Sequence, residues 1–375
     1  MRILYLSLSY LPSRRASSVQ VMLMCNAFAK RGDDVTLFAK REEPTTGSLH
    51  DIYGVDDTFA IELGSRPAGR GGGMVYVGAI ARELLRRRRT VDVVYSRDLV
   101  GSVIATGLGL PVVFEAHGLP DRSWHVPLWR RMVRSPSFLG LVAISHALER
   151  ELAAAELLPL RRPVVVAHSP AEPRSYAPSR NVIAAPARIG YVGNLYPGRG
   201  VELIVEVARV MPDHTFVLVG GSEEDLATWR ASSLPANITM RGYVAPRDLP
   251  AVYGELDVLL MPYPRSEILG PTRRLDTSKY CSPMKMFEYM ASGVAMVSSD
   301  LPVLQEVLRD DHNALIAPAG DVRAWQRAID RLVCDDALRS RIAQQARTDV
   351  QGYTSDVRAA RIVDALRLDQ RFAKT

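Results

Sequence analysis

Short apolar runs alternate with amphipathic helical patterns along the whole chain. Six runs in the first half and six in the second predict strands: Ile3–Ser9, Val35–Ala39, Val91–Ser96, Val112–Ala116, Leu141–Ile144, Val164–Ala167, then Ala187–Val192, Thr215–Gly220, Ile238–Arg241, Val258–Pro262, Ala295–Ser298 and Ala314–Ala317. A helical pattern over Val19–Arg31 connects the first two strands. This alternation is typical of parallel sheets with crossover helices, so we predict an α/β protein.

The two series of strands predict two Rossmann-like, doubly wound domains. The segment 171–186 between them is rich in proline and has little periodicity, as linkers do. We therefore place an N-terminal domain at 1–170, a second domain at 187–354 and a final helix at 355–375. Two such domains joined by one linker are expected to face a central cleft with the carboxyl ends of their strands.

A helix predicted from Ser282 to Gly293 carries the most specific chemical signal. Ser282 is a good N-cap and Pro283 suits the first helical position. Glu288 falls on the otherwise apolar face, where a carboxylate needs donors such as ligand hydroxyls. The open amides at the helix start, with Lys285, form an anion site. Phosphate and hydroxyl sites one turn apart are what a sugar nucleotide requires.

A glycine-rich turn follows the strand that begins the second domain. Gly193 permits close backbone approach, and Arg199 could supply charge to a diphosphate. Alone, this pattern favours a plain strand-to-helix turn, because short glycine motifs are weak evidence. The phosphate interpretation depends on its pairing with the helix at Ser282.

Candidate residues in the first domain lie after its strands. His117 closes a strand, at the edge where ligand residues gather in open α/β sheets, although a lone histidine also fits a structural role. Glu115 is expected to point to the opposite face. Ser17 and Ser18 follow the first strand and could cap a phosphate; a solvated arginine pair at 14–15 is the alternative.

Composition is that of an ordinary globular protein, with 47% hydrophobic and 23% charged residues, and the net charge of +6 favours acidic partners. Three distant cysteines suggest neither disulfides nor a metal site. With no signal peptide or spanning segment expected, we predict a cytoplasmic protein, or one peripheral on the inner face of the membrane. Basic segments at Arg82, Arg86–Arg89 and Trp124–Arg134 favour an anionic membrane surface; solvated charge is the alternative.

Several other functional classes lose support because their motifs are missing from the sequence. There is no D-x-D for a divalent metal, no Walker A loop, no dinucleotide fingerprint after the first strand and no nucleophile elbow. The basic residues are not interleaved with aromatics along a sheet or a recognition helix, so no nucleic-acid partner is predicted.

The order of segments resembles the retaining GT-B-fold glycosyltransferases of family 4 over essentially the whole chain. The matching segments are AFAKRGDDVTLFAK, EAHG, AISHA, YVGNLYPGRGVELI, NITMRGYVAPRDLPAVYGELDVLLMPY and SPMKMFEYMASGVAMVSSDLPVLQEVL. The resemblance implies sugar transfer from a nucleotide-sugar with net retention and no metal or other cofactor. It implies donor contacts from Gly193, Asn194, Arg199, Arg241, Tyr243, Val244, Tyr280, Ser282, Pro283, Met284, Lys285 and Glu288, with His117 beside the donor sugar.

Within that resemblance, Arg199 matches the cation that neutralises the leaving diphosphate, and Glu288 the ribose-binding carboxylate. The sequence departs from the family pattern at Tyr280, where a glutamate is common, and at Asn194, where a second arginine is common. Glu267 could substitute for that glutamate. We predict a glycosyltransferase using a UDP-sugar in preference to a GDP-sugar, with a saccharide, lipid-linked or small-molecule acceptor. The alternatives are an inactive nucleotide-sugar-binding partner subunit and a sugar-nucleotide epimerase.

Overall fold

The computed structural model describes residues 1–42, 47–65, 72–172, 183, 185–265 and 276–372. The chain divides into two compact units, one formed by Met1–Pro170 with Ser355–Thr375 and the other by Ala171–Thr354. Most of the predicted linker lies outside the described residues. The same is true of Glu267, which belongs to a later segment of the chain.

The first unit is built on seven parallel strands with helices between them. Its strands are β1 (Arg2–Leu11), β2 (Asp34–Arg41), β3 (Ala60–Gly64), β4 (Val93–Ser96), β5 (Val112–Ala116), β6 (Phe138–Ala143) and β7 (Val164–Val166). Its helices are α1 (Ala16–Lys30), α2 (Leu49–Tyr53), α3 (Gly72–Arg87), α4 (Leu99–Gly107), α5 (His125–Arg134) and α6 (His146–Ala154).

The second unit is built on six parallel strands. They are β8 (Arg188–Val192), β9 (Thr215–Val219), β10 (Ile238–Arg241), β11 (Val258–Met261), β12 (Met296–Ser299) and β13 (Leu315–Ala317). Its helices are α7 (Val201–Val210), α8 (Glu223–Arg230), α9 (Leu249–Gly254), α10 (Met284–Ser292), α11 (Val322–Cys334) and α12 (Asp336–Asp349), with 3-10 turns at Pro246–Asp248 and Val350–Tyr353.

Both sheets have the strand order of a doubly wound fold, and the α/β prediction is confirmed. The orders are β3-β2-β1-β4-β5-β6-β7 and β10-β9-β8-β11-β12-β13. In each sheet the direction of winding reverses beside the first strand, between β1 and β4 and between β8 and β11. Ligands in such sheets bind in the crevice outside the carboxyl ends of the strands at that reversal.

The end of the chain belongs to the first unit. It forms two helices, α13 (Ser355–Ala365) and α14 (Leu368–Phe372), where the sequence predicted one. Helix α13 packs against α1, whose residues from Gln20 to Phe28 are all buried. The first unit therefore covers one of its most apolar helices with residues that follow the second unit in sequence.

Three other expectations are wrong. Strand β3 has no counterpart in the predicted set, because its short edge sequence AIELG is only half-buried and has no continuous apolar run. Helix α10 begins at Met284 with Pro283 as its N-cap, one residue later than expected, so Ser282 is not the cap. In α5 the Trp129 ring is buried and its Nε1–H donates to the carbonyl of Leu157 at 2.7 Å, so Trp129 is a core residue of the predicted surface segment.

Candidate active site

Helix α10 is fixed to the end of β8 by a tyrosine. The Tyr289 hydroxyl accepts a hydrogen bond from the Val192 amide at 2.7 Å and donates one to the Val192 carbonyl at 3.1 Å. Tyr289 is fully buried, so this pair of bonds is protected from water. The start of α10 is thereby held against the glycine-rich turn, as the two sequence signals required.

Lys285, in the first turn of α10, extends over that turn. Its ammonium nitrogen lies 3.9 Å from the centre of the Tyr191 ring and 4.8 Å from that of Tyr263. A Cβ placed on Gly193 would lie 3.3 Å from the same nitrogen, so a side chain there would be in tight contact with the ammonium. Among the described residues, the Lys285 ammonium has no hydrogen-bond acceptor.

Arg199 lies beside this lysine. Its Nη1 donates to the Tyr263 hydroxyl at 3.2 Å, its Nη2 donates to the Tyr196 hydroxyl, and its guanidinium carbon lies 5.6 Å from the centre of the Tyr263 ring. Tyr263 lies two residues after the end of β11, the strand at the crevice. A Cβ on Gly200 would lie 1.6 Å from the carbonyl oxygen of Pro262, the residue before Tyr263. The turn that carries Arg199 is therefore packed onto the backbone that carries Tyr263. We call Lys285, Arg199 and their three tyrosines the cationic cluster.

Within the part of the chain that the structure describes, no hydrogen-bond acceptor offsets the buried charge of Lys285. Burial lowers the pKa of Lys285 well below its usual range, and the positive charge of Arg199 lowers this pKa further, against a smaller opposing effect of Glu288. A buried ammonium without an acceptor is costly. An anion with several oxygens would supply acceptors for both cations.

The other residues predicted for a donor vary in their surroundings. Glu288 is half-buried one turn beyond Lys285, while Tyr280, Ser282 and Met284 are buried. Asn194 is exposed, and its carbonyl accepts the Tyr191 hydroxyl at 2.7 Å.

The turn predicted to contact the base begins with an ion pair. Arg241 Nη2 lies 2.8 Å from Glu255 Oε2, which also pairs with Arg188. Tyr243 is 43% exposed, and Val244 is half-buried. An exposed aromatic ring beside a β-strand end offers a surface for stacking a base.

In the first unit, the side chains of His117 and Glu115 are in contact. The expectation that Glu115 points to the opposite face of the sheet is therefore wrong. Residues two apart on a strand point to the same face, and His117 Nε2 lies 2.6 Å from Glu115 Oε1. Glu115 also receives hydrogen bonds from the Tyr95 hydroxyl and, at 3.0 Å, from Arg358 Nη1 of α13. We call Tyr95, Glu115, His117 and Arg358 the glutamate network.

The glutamate network sets the charge of its members. Burial alone would raise the pKa of Glu115, but Arg358 and the hydrogen bond from His117 outweigh it and hold that pKa well below its usual range. Burial, and after it the positive charge of Arg97, outweigh the opposing effect of Glu115 and lower the pKa of His117 to about 4. At neutral pH the network therefore holds a carboxylate, a guanidinium and a neutral imidazole.

The other candidates in the first unit are placed less directly for binding. Ser18 is buried and its hydroxyl donates to the Tyr10 carbonyl at 2.9 Å, while Ser17 is half-buried. Arg86 and Arg87 form ion pairs with Glu62 and Glu83. That pairing reduces the free positive charge of the predicted basic surface, whose exposed remainder is Arg82, Arg88, Arg89, Trp124, Arg130, Arg131 and Arg134.

The described residues contain neither a membrane-spanning helix nor a cluster of metal-binding side chains. No helix within them is both long and apolar enough to cross a membrane. In the same part of the chain, no group of three or more histidine, cysteine, aspartate or glutamate side chains is placed to hold a metal ion.

Two family models match the chain, one in each unit. Residues 17–169 match the model described as Glycosyltransferase Family 4, and residues 186–335 match that of Glycosyl transferases group 1. The two matches together cover most of the chain.

Curated relatives align with part of the chain. The phosphatidyl-myo-inositol mannosyltransferase of Mycobacterium leprae is 27% identical over 171 residues, which cover 44% of this chain and 42% of that protein. The 2-deoxystreptamine glucosyltransferase of Streptomyces kanamyceticus is 27% identical over 157 residues, or 40% of this chain and 37% of that protein. The chain thus spans less than half the length of these relatives.

Solved structures match over the full length. The sucrose-phosphate synthase of Thermosynechococcus elongatus superposes with a TM-score of 0.75 at 15% identity, covering 100% of both chains. Anabaena HepE, solved in complex with UDP and glucose, gives a TM-score of 0.68 at 18% identity and covers 98% of this chain and 99% of its own. At such low identity these matches show the fold, and they confirm the predicted GT-B architecture.

Proposed function

The chain belongs to the glycosyltransferases of the family 4, group 1 type, and from that premise we propose that it moves a sugar from a nucleotide-sugar to a hydroxyl acceptor with net retention. The proposed donor is a UDP-sugar, and no metal takes part. The proposed acceptor is a saccharide, a lipid-linked saccharide or a small-molecule hydroxyl. Polysaccharide or glycolipid synthesis is the setting in which such transfers occur.

One observation carries this proposal: the buried Lys285 ammonium without an acceptor among the described residues, held next to Arg199 at the crevice of the second sheet. A diphosphate between nucleoside and sugar supplies several anionic oxygens at once. Glu288, one turn further along α10, would accept the ribose hydroxyls. The UDP and UDP-glucose complexes of HepE, a protein of the same fold, favour uridine as the base.

The proposed chemistry is the departure of the diphosphate with attack of the acceptor on the same face of the sugar. Arg199 and Lys285 would stabilise the negative charge that develops on the leaving diphosphate. The departing phosphate oxygen would take the proton of the acceptor hydroxyl. This route needs no nucleophile from the protein.

The test is a transfer assay followed by proton NMR. The protein is incubated with UDP-sugars and GDP-sugars, with and without a panel of saccharide, lipid-linked and aglycone acceptors. We expect acceptor-dependent release of UDP and a product with the anomeric configuration of the donor. An inverted product would contradict retention, conversion of the sugar without acceptor would indicate an epimerase, and binding without turnover would indicate a partner subunit.

The role of Arg199 has its own prediction. Arg199→Ala should lower kcat by about 10²–10³-fold, the usual effect of removing one transition-state donor, and change the KM for acceptor little. Steady-state kinetics with varied acceptor measure both values, and Arg323→Ala, an exposed arginine on α11, is the matched control. Equal losses in kcat and in acceptor binding would contradict this role.

A further inference from the structure

Helix α13 brings a fully buried arginine into the first unit. The Arg358 side chain is 2% exposed, and its Nε and Nη2 donate to the carbonyls of His168 at 2.8 Å and Ala167 at 3.2 Å. Its remaining nitrogen, Nη1, lies 3.0 Å from Glu115 Oε2. Two backbone bonds thus orient the guanidinium so that the third nitrogen faces the carboxylate.

The carboxylate of Glu115 is surrounded by donors. Besides Arg358, the Tyr95 hydroxyl donates to Oε2, and Gln20 Nε2 donates to Oε1 at 3.4 Å. An ionised carboxylate only accepts hydrogen bonds. The 2.6 Å contact between Glu115 Oε1 and His117 Nε2 therefore requires a proton on His117 Nε2.

We infer that Arg358 is a positioning residue for His117: by keeping Glu115 a carboxylate, it fixes the ring proton of His117 on Nε2 and leaves Nδ1 as an acceptor for a ligand hydroxyl. This inference rests on the proposed function, which supplies a sugar as the ligand beside His117. The imidazole is 28% exposed, so the ring is accessible although its Nε2 is engaged with a fully buried carboxylate.

A fixed tautomer restricts the groups that His117 can bind. A neutral imidazole with a lone pair on Nδ1 accepts a hydrogen bond from a hydroxyl but repels a phosphate or carboxylate oxygen. His117 would therefore bind a hydroxyl group of the sugar, and the cationic cluster would neutralise the diphosphate.

Several charged or titratable groups of the described residues face the glutamate network. These groups come from β1, β4, β5, the segments after β4 and β5, and α13, and they are Tyr5, Tyr95, Arg97, Glu115, His117 and Arg358. Arg358 and Arg97 lower the pKa of His117, and Glu115 raises it. Removal of Arg358 leaves the carboxylate without its strongest cation, so the His117–Glu115 pair should take up a proton at a higher pH than in the native protein.

The test is nitrogen-15 NMR of the histidine rings in the full chain, with the His117 signals assigned by their loss in His117→Gln. In the native protein we expect the Nε2–H tautomer and a titration midpoint near 4. Arg358→Gln should raise the midpoint by about 1–3 pH units, Arg358→Lys should restore most of the native value, and Arg361→Gln, exposed on the same helix, should leave it unchanged. In each variant, the pH at which kcat/KM falls on the acid side of its pH profile should shift with the titration midpoint of His117.

A native spectrum with the proton on Nδ1 would overturn the inference without any variant, so the test holds even if Arg358→Gln does not fold. An unchanged midpoint in folded Arg358→Gln would also overturn it. Neither result depends on a substrate. Failure of nucleotide-sugar binding, measured separately, would contradict the proposed function and leave the tautomer of His117 as measured.

Discussion

Lys285 lowers the stability of the ligand-free protein. Its ammonium is buried over two tyrosine rings beside Arg199, and burial lowers its pKa well below the usual range. In the ligand-free protein this arrangement opposes folding, because the unfolded chain solvates the charge fully. A bound diphosphate would supply acceptors for the ammonium, so in the complex Lys285 would stabilise the folded protein.

Lys285→Met tests this cost directly. The methionine side chain fills similar space without a charge, so we expect the ligand-free variant to be more stable by about 1 kcal/mol, as when a strained functional residue is replaced. Since a lowered lysine pKa means that the unfolded chain binds more protons, the native protein should gain stability as pH rises from the folded pKa of Lys285 toward 10.5. The variant should lack that rise.

Chemical denaturation at several pH values measures both effects. Lys285→Arg, which keeps the charge, is the control and should show no gain in stability. A Lys285→Met variant that is less stable than the native chain at neutral pH would contradict this account.

The sequence alone singled out the charged candidates of this site, but it did not reveal the residues that contact them. The pattern at Ser282–Gly293 identified Lys285 and Glu288, and the glycine-rich turn identified Arg199. Their tyrosine partners were missed because Tyr191 lies in an apolar strand and Tyr263 follows one, and neither context gives a sign of chemistry. Arg358 was missed because it lies 243 residues from Glu115 in sequence, and only the packing of α13 on α1 brings the two together.

At the scale of elements, the turn that carries Arg199 depends on glycine. Gly200 has φ +79°, and a Cβ there would lie 1.6 Å from the Pro262 carbonyl oxygen, part of the backbone that carries Tyr263. Neither atom is at the end of a flexible side chain, so the collision requires movement of one backbone segment. The position of Arg199 against Tyr263 is therefore built into the turn.

Gly200→Ala should be far more damaging than Gly32→Ala. Gly32 has a similar φ of +86° but no atom within 4 Å of a Cβ, so alanine there should cost only the conformational strain of about 1–2 kcal/mol. At Gly200 the collision adds to that strain, and we expect a loss of several kcal/mol, as for overpacking. Calorimetric melting of both variants measures the difference, and equal melting temperatures would contradict the close packing of this turn.

The elements themselves were predictable where the apolar runs were long. The sequence placed twelve of the strands within a few residues, because buried parallel strands are apolar on both faces. It missed β3, a half-buried edge strand in which Glu62 interrupts the apolar positions. It placed the start of α10 one residue early, since an N-cap preference for serine cannot show which backbone residue leaves the helical conformation.

At the scale of the whole molecule, the chain returns to its first unit after completing the second. Residues 355–372 cover α1 and supply Arg358 to Glu115. Loss of this segment would expose the apolar face of α1 and leave a fully buried carboxylate without its cation, which is strongly destabilising.

Ending the chain at Thr354 should therefore weaken the first unit selectively. We expect faster hydrogen exchange of the amides of α1 and β5, with the amides of β8 and β9 unchanged. Exchange followed by mass spectrometry reports both sets in one experiment, so the second unit serves as the internal control. Equal protection of α1 in the full and shortened chains would contradict the structural role of α13.

The most direct test of the central claim is a thermal-shift screen of the native protein and Lys285→Met against UDP, GDP, ADP and their sugar conjugates. A ligand at about 100 times its Kd stabilises a fold by about 2.7 kcal/mol, which is readily seen. We predict that UDP and UDP-sugars raise the melting temperature of the native protein and raise that of Lys285→Met much less, although the unliganded variant melts higher. No shift with any nucleotide, or equal shifts in both proteins, would contradict a nucleotide-sugar site at Lys285.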